Sequence, residues 1–125
     1  MGVSVELIYH DLRCQSLDAA RRAAAIIAAD KRIHPYHLQV AVANLLHPGP
    51  GICPCLEVVH FQGDHWRESD ARQLWLAIAP FMADGACLEF TGEASERWRI
   101  RWSAGRVFED LVHDVIWAER REITS

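Results

Sequence analysis

The stretch ACLEFTGEASERWRIRW, residues 86–102, decides the fold because apolar and polar side chains alternate on both sides of a short turn. Pairing Phe90 with Trp98 and Leu88 with Ile100 places large apolar side chains opposite one another on one face. The same register leaves a three-residue loop at 93–95. The stretch therefore predicts an antiparallel hairpin whose tryptophans enter the core.

The arginines of the same hairpin occupy the opposite face of the strand. The register sets Glu89 beside Arg99, and Arg97 and Arg101 alternate with it along RWRIRW. Alternation of this kind is typical of a half-buried strand, so we interpret the arginines as solvent-facing partners of nearby carboxylates. The alternative is an exposed arginine stripe that docks on an acidic partner, and the three arginines are therefore candidate partner-binding residues.

Upstream of the hairpin, the hydrophobic pattern predicts strands at 3–10, 36–42 and 56–61 and helices at 16–30 and 69–82. For the second strand, Leu38, Val42, Leu45 and Leu46 could instead form one face of a helix. Ser16 is the expected N-cap of the first helix, and Ser69 or Asp70 of the second. Strand, helix and strand thus occur twice, at 3–44 and 56–91. This order predicts an α+β, ferredoxin-like split βαβ fold with a mostly antiparallel sheet and both helices on one face.

Two alternatives remain for the C-terminal segment FEDLVHDVIWAERRE. Apolar residues at helical spacing, from Phe108 to Ile116, predict an amphipathic helix, while a strand at 106–112 followed by a helix is the competing interpretation. Either way the chain of 125 residues is predicted to form one domain, 1–125, with an added C-terminal strand and helix. An open face of the last helix would suit a homodimer.

The segment HPGPGICPC, residues 47–55, is rich in proline and glycine and is predicted to be a loop. Thiolate and imidazole are preferred zinc ligands, and five such side chains lie within nineteen residues. These candidate metal ligands are His47, Cys53, Cys55, His60 and His65. The spacing is poor, because one residue separates the two cysteines where zinc sites usually have two to four. The alternative interpretation makes Cys55 a small buried hydrophobe.

Charge and composition exclude several classes of function. A net charge of −4 argues against general nucleic-acid binding, which depends on clustered Lys and Arg. The sequence has neither a signal peptide pattern nor an apolar run long enough to span a bilayer, so we expect a cytoplasmic protein with reduced cysteines and without membrane partners. Twelve arginines against one lysine, Lys31, are typical of a GC-rich bacterial or phage genome.

Motifs for catalysis are missing from the sequence. It contains neither Gly-x-Ser-x-Gly nor Ser-x-x-Lys, and its glycines fall in predicted turns rather than in a phosphate-binding loop. We therefore expect a protein that is not an enzyme. Trp66, next to His65 and Arg67, and Trp117, off the apolar stripe of the last helix, are further candidate partner-binding residues. The alternative is that these tryptophans pack inside.

The block from Leu74 to Val107 resembles the C-terminal helix and hairpin of small bacterial and phage α+β proteins. Those proteins carry a Gly-Glu-x-x-x-Glu-x-Trp-Arg turn, where this chain reads GEASERWR with one residue fewer between the glutamates. The similarity covers about a quarter of the chain and does not extend to the first seventy residues. It implies a mobile-element or accessory protein of a kind that often binds and blocks another macromolecule.

These observations favour a protein-binding module, with an inhibitor, immunity-type or anti-CRISPR-like protein as its expected form. Its partner would be another protein. One alternative function is a zinc-binding or thiol-using domain centred on Cys53 and Cys55. The other is a regulatory domain that binds a small ligand on its sheet.

Overall fold

A computed structural model describes residues 4–33, 37–47, 51–113 and 116–124, without the side chains of 45–47, 51–52, 68, 112–113 and 116–120. These described residues form seven strands and two helices. They are β1 (Val5–Arg13), α1 (Leu17–Ala29), β2 (Leu38–His47), β3 (Gly51–Phe61), α2 (Glu68–Ile78), β4 (Cys87–Gly92), β5 (Arg97–Ser103), β6 (Arg106–His113) and β7 (Ile116–Ile123). A short 3₁₀ turn, Ala79–Phe81, follows α2.

The strands form one sheet in the order β2-β3-β1-β4-β5-β6-β7, and each described neighbour pair is antiparallel. α1 packs on β2 and, less extensively, on β3, while α2 contacts α1 and β6, so both helices cover the same face. Neither helix in the described part of the chain is long and apolar enough to cross a membrane.

The predicted ferredoxin-like fold is wrong. That fold needs two strand-helix-strand units whose strands interleave in one sheet. Here β2 leaves α1 and pairs with β3 as a hairpin along its whole length, from Leu38 opposite Phe61 to His47 opposite Gly51. Because β3 and not β2 lies next to β1, the protein is dominated by an antiparallel sheet of seven strands.

The first helix forms as the sequence predicts. Ser16 Oγ accepts a hydrogen bond from the Ala19 amide at 3.0 Å, and its small buried residues bring the helix close to the sheet. α2 begins earlier than expected. Its N-cap position is Arg67, which makes no side-chain cap hydrogen bond, so neither Ser69 nor Asp70 has the predicted capping role.

The central hairpin confirms the predicted register. Phe90 lies opposite Trp98 and Leu88 opposite Ile100, and the Gly92 amide donates to the Glu96 carbonyl at 3.0 Å across the predicted loop. Trp102, at the end of β5, is buried and its indole Nε1 donates to the Trp75 carbonyl at 3.1 Å.

The predicted C-terminal helix is wrong, because the segment forms β6 and β7. The competing prediction of a strand at 106–112 is confirmed, but a second strand follows it where a helix was expected. Ala104 and Gly105 both adopt positive φ, at 52° and 76°, as a tight two-residue hairpin turn requires. This turn lays β6 along the free edge of β5, where main-chain pairing outweighs the helical pattern of its side chains.

The predicted loop at 47–55 is also wrong over most of its length, while 48–50 lie outside the described residues. β3 begins at Gly51 and passes through Cys53, Pro54 and Cys55. The Pro54 carbonyl accepts a hydrogen bond from the Cys14 amide at 2.9 Å, so the backbone of Pro54 faces β1. Its missing N–H therefore leaves the ladder between β2 and β3 intact.

Candidate functional site

The three arginines of RWRIRW lie on the open face of the sheet and are engaged by carboxylates. Arg99 and Arg101 both contact Asp110 Oδ2, at 2.8 and 2.9 Å, and Arg97 Nη2 lies 3.4 Å from Glu89 Oε1. The Asp110 side chain is 2% exposed. The pairing with carboxylates is as predicted, but Arg99 and Arg101 are only 20% and 26% exposed and are therefore not solvent-facing. The pairing reduces the positive charge that an acidic partner would need.

The prediction that Trp66 is exposed is wrong. Its side chain is 2% exposed and packs among other rings, with centroid distances of 5.0 Å to Phe61, 5.9 Å to His37 and 6.2 Å to Phe90. The alternative interpretation, internal packing, is confirmed for this residue. Trp117 lies in β7, and its side chain is outside the described residues.

The candidate zinc ligands whose side chains the structure describes, Cys53, Cys55, His60 and His65, are not brought together. Cys53, Cys55 and His60 lie along β3, where about 3.3 Å per residue spreads Cys53 and His60 roughly 20 Å apart. His65 is exposed in the turn before α2, and the side chain of His47 is outside the described residues. In the described part of the chain, no three His, Cys, Asp or Glu side chains could hold one metal ion.

Two cysteines are buried thiols of low reactivity. Burial raises the pKa of Cys14 to about 11, with a smaller contribution from Cys55. Burial, followed by the charges of Glu89 and Asp11, raises the pKa of Cys87 to about 11 as well. A thiol with such a pKa stays protonated near neutral pH, so neither cysteine is suited to act as a nucleophile.

The outer edge of β2 is the unusual feature of the molecule. β2 is the first strand of the sheet, and its sequence LQVAVANLLH contains neither Asp, Glu, Lys nor Arg over ten residues. Natural edge strands are usually kept from pairing by charges, prolines or bulges. We call the free side of residues 38–47 the β2 edge.

The direction of the main-chain groups of β2 follows from Pro54. Asn44 lies opposite Pro54, whose backbone faces β1 and not β2. In an antiparallel pair this makes Asn44 a residue whose own N–H and C=O point away from β3. By alternation, the N–H and C=O of Val42 and Val40 also point outward, so three residues present six main-chain groups at the β2 edge.

A hollow of about 360 Å³ lies between α1 and the first half of β2. A bulge at Val59 of β3 shifts the register there, and the Val59 side chain is 57% exposed. Apart from Gln39, the lining is apolar. The lining residues are Ala24, Ile27, Ala28, Ile33, Leu38, Gln39, Val40 and Val59.

A second cavity, of about 630 Å³, lies where β1 and β3 separate. The two strands pair at Leu12 and Leu56, and the Val5 amide donates to the Gly63 carbonyl at 3.2 Å. Between these ends the strands part, and β1 has a bulge at Ile8, which is 42% exposed. β1 is therefore held at both ends of this gap and separated from β3 between them.

Neither cavity was predicted from the sequence, because each depends on which strands become neighbours. The absence of charge in β2 is visible in the sequence, but it marks an accessible edge only once β2 is known to be the outermost strand. No protein-family model, curated protein or solved structure matches this chain.

Proposed function

We propose that the protein is a protein-binding module that takes an extended segment of another protein as an added strand at the β2 edge. The observation that carries the proposal is the ten-residue outer strand without an Asp, Glu, Lys or Arg. An unprotected edge of this length is a template for strand addition, in which main-chain hydrogen bonds provide the affinity.

The outward groups of Val40, Val42 and Asn44 supply the bonds. They alternate along the strand as an antiparallel or parallel partner strand requires. Each main-chain hydrogen bond contributes about 1 kcal/mol net. Several such bonds and the burial of neighbouring apolar side chains would support binding at micromolar concentration.

The charges of the molecule favour protein over nucleic acid as the partner. The chain has a net charge of −4, and the arginines of β5 contact Asp110 and Glu89. Strand addition by contrast needs no charge. An inhibitor, immunity-type or anti-CRISPR-like role is one use of such an edge and stays a prediction.

A peptide selection tests the proposal. Random nine-residue peptides displayed on phage are selected on the immobilised protein, and the selected peptides are then measured on two variants. Asn44→Pro removes one outward N–H, whereas Asn44→Ala keeps it and removes the same side chain. We expect binding to fall at least tenfold with proline and to change less than threefold with alanine.

Two results would contradict strand addition at this edge. One is a selection that yields no binding peptide. The other is a set of peptides that bind Asn44→Pro as tightly as the unchanged protein, because the contact would then lie elsewhere.

The opening between β1 and β3 favours a second candidate function, the binding of a small molecule. Its ends are held by main-chain contacts at Leu12 and Val5, so a peptide strand has no room to pass between them, whereas its volume suits a compact ligand. A fragment screen by NMR would support this function if amide shifts cluster at Leu7, Ile8 and Val58. Shifts confined to other residues would exclude it.

A further inference from the structure

We infer that the segment bound at the β2 edge carries one bulky aliphatic or aromatic side chain, which enters the hollow between α1 and β2. This inference rests on the proposed strand addition. It adds the chemical class of the partner segment, which main-chain pairing alone leaves open.

The hollow lies beside the outermost strand of the sheet. α1 packs more extensively on β2 than on β3, so the helix lies towards the outside of the sheet. A strand added to β2 would run about 4.8 Å beyond it, beside the outer flank of α1. Val40, whose main-chain groups point outward, and its neighbour Leu38 line the hollow, so the hollow lies against the outermost strand.

The residues that line the hollow are almost all apolar. Seven of the eight lining residues are apolar, and the eighth, Gln39, is uncharged. A charged side chain placed there would lose its hydration without gaining an opposite charge from the lining. An aliphatic or aromatic side chain would instead remove apolar surface of both partners from water.

The hollow is large enough for one bulky side chain. At about 360 Å³ it lies within the range of pockets that bind organic groups. The space exists because Ala24 and Ala28 stand where a larger residue would fill it. Ala28 is exposed, so it can be enlarged without disturbing the buried face of α1.

Synthetic peptides test the inference. Each has nine residues, with threonine throughout and one central residue that is Ala, Leu, Phe or Glu, and its affinity is measured by fluorescence anisotropy. We expect the Leu and Phe peptides to bind at least tenfold more tightly than the Ala and Glu peptides. In Ala28→Leu, which fills the hollow, this preference should fall below threefold.

Ala25→Leu is the matched control, because Ala25 is exposed on the same helix and does not line the hollow. It should keep the preference. The inference is overturned if the peptides bind with equal affinity, or if Ala28→Leu and Ala25→Leu behave alike. If no peptide binds the unchanged protein, the proposed strand addition itself fails. If the peptides bind with equal affinity, strand addition stands and only the inference about the side chain fails.

A second copy of the chain is the competing occupant. Sedimentation of the free protein at roughly 5 to 200 μM, a range in which weak dimers form, shows whether a second copy binds the edge. A monomer throughout supports an edge that is free for a partner segment. A dimer that Asn44→Pro converts to monomer would overturn the inference, because the β2 edge would already be occupied.

Discussion

The two outer strands of the sheet differ in charge and therefore in what they can pair with. β7 reads IWAERREI and carries four consecutive charged residues, Glu119 to Glu122, whereas β2 reads LQVAVANLLH and contains neither Asp, Glu, Lys nor Arg. Charges on an edge strand oppose the approach of another strand. The sheet is therefore protected at one side and open to pairing at the other.

The difference continues inward from each edge. Next to β7, the buried Glu109 lies 3.7 Å from Arg121, and the buried Asp110 contacts Arg99 and Arg101. Next to β2, the apolar side chains of α1 and β3 surround the hollow. One end of the sheet is held by ion pairs and the other by apolar packing, so they should respond differently to substitution.

The largest expected effect is on the charged side. Asp110→Ala removes the carboxylate that Arg99 and Arg101 share and should lower the free energy of unfolding by about 3 kcal/mol. Urea denaturation measures it. The control is Asp18→Ala, which breaks an exposed pair with Arg22 and should cost about 0.5 kcal/mol or less. Equal losses would show that the buried pairs do not distinguish the two ends.

A smaller effect tests the direction of the β2 main chain. Ala43→Pro would remove an N–H that faces β3 and should cost about 2 to 3 kcal/mol, whereas Asn44→Pro would remove an outward N–H and should cost less than about 1 kcal/mol. Thermal and urea unfolding compare the two variants. The reverse order would mean that the outward and inward positions have been exchanged.

The stability of the fold should also depend on pH, through the buried thiols of Cys14 and Cys87. Their folded-state pKa of about 11 exceeds the ordinary value of 9.0, so the folded protein holds these protons more tightly than the unfolded chain does. Their stabilising contribution is complete below pH 9 and is lost as pH rises towards 11.

We expect a loss of roughly 1 to 2 kcal/mol for each of the two thiols between pH 9 and 11, measured by urea unfolding in reducing buffer. The double variant Cys14→Ala, Cys87→Ala should lose less over the same interval. An equal loss in both proteins would assign the pH effect to other groups.

The smallest effect on stability should come from giving the β2 edge a charge. Ala41 is exposed, so Ala41→Lys should change the free energy of unfolding by at most about 0.5 kcal/mol. It should also weaken the binding of the selected peptides, measured by fluorescence anisotropy, because the edge then resembles β7. Ala94→Lys, in the exposed turn between β4 and β5, is the charge-matched control. If both variants weaken binding equally, net charge and not the edge is responsible.

The hairpin of β4 and β5 could be predicted from the sequence to the level of its register. Apolar residues alternate on both arms, and the loop at 93–95 leaves little freedom for another pairing. The N-cap at Ser16 was equally local. In both cases the information lies within a few residues, so no knowledge of distant parts of the chain is needed.

The errors arose where distant pairing decides the structure. Residues 108–116 fit a helical pattern, but the turn at Ala104 and Gly105 lays β6 along the edge of β5. Pro54 suggested a loop, yet its backbone faces β1 at a position where the missing N–H does not interrupt pairing with β2.

The candidate site has the same dependence. The sequence LQVAVANLLH shows that β2 contains neither Asp, Glu, Lys nor Arg, but it does not show that β2 becomes the outermost strand. Trp66 looked exposed because it stands between His65 and Arg67, whereas contacts with Phe61 and Phe90 bury it. Local composition therefore suggested an exposure that the fold does not give Trp66, and only the strand order shows that β2 is the outermost strand.

Amide hydrogen exchange in β2, followed residue by residue by NMR, tests the open edge most directly. In the free protein, the outward amides of Val42 and Asn44 should exchange much faster than the amides of Ala41 and Ala43, which face β3. A peptide from the selection should slow Val42 and Asn44 and leave Ala41 and Ala43 unchanged. Equal protection of all four amides in the free monomer, or peptide-induced protection confined to other strands, would contradict an accessible β2 edge.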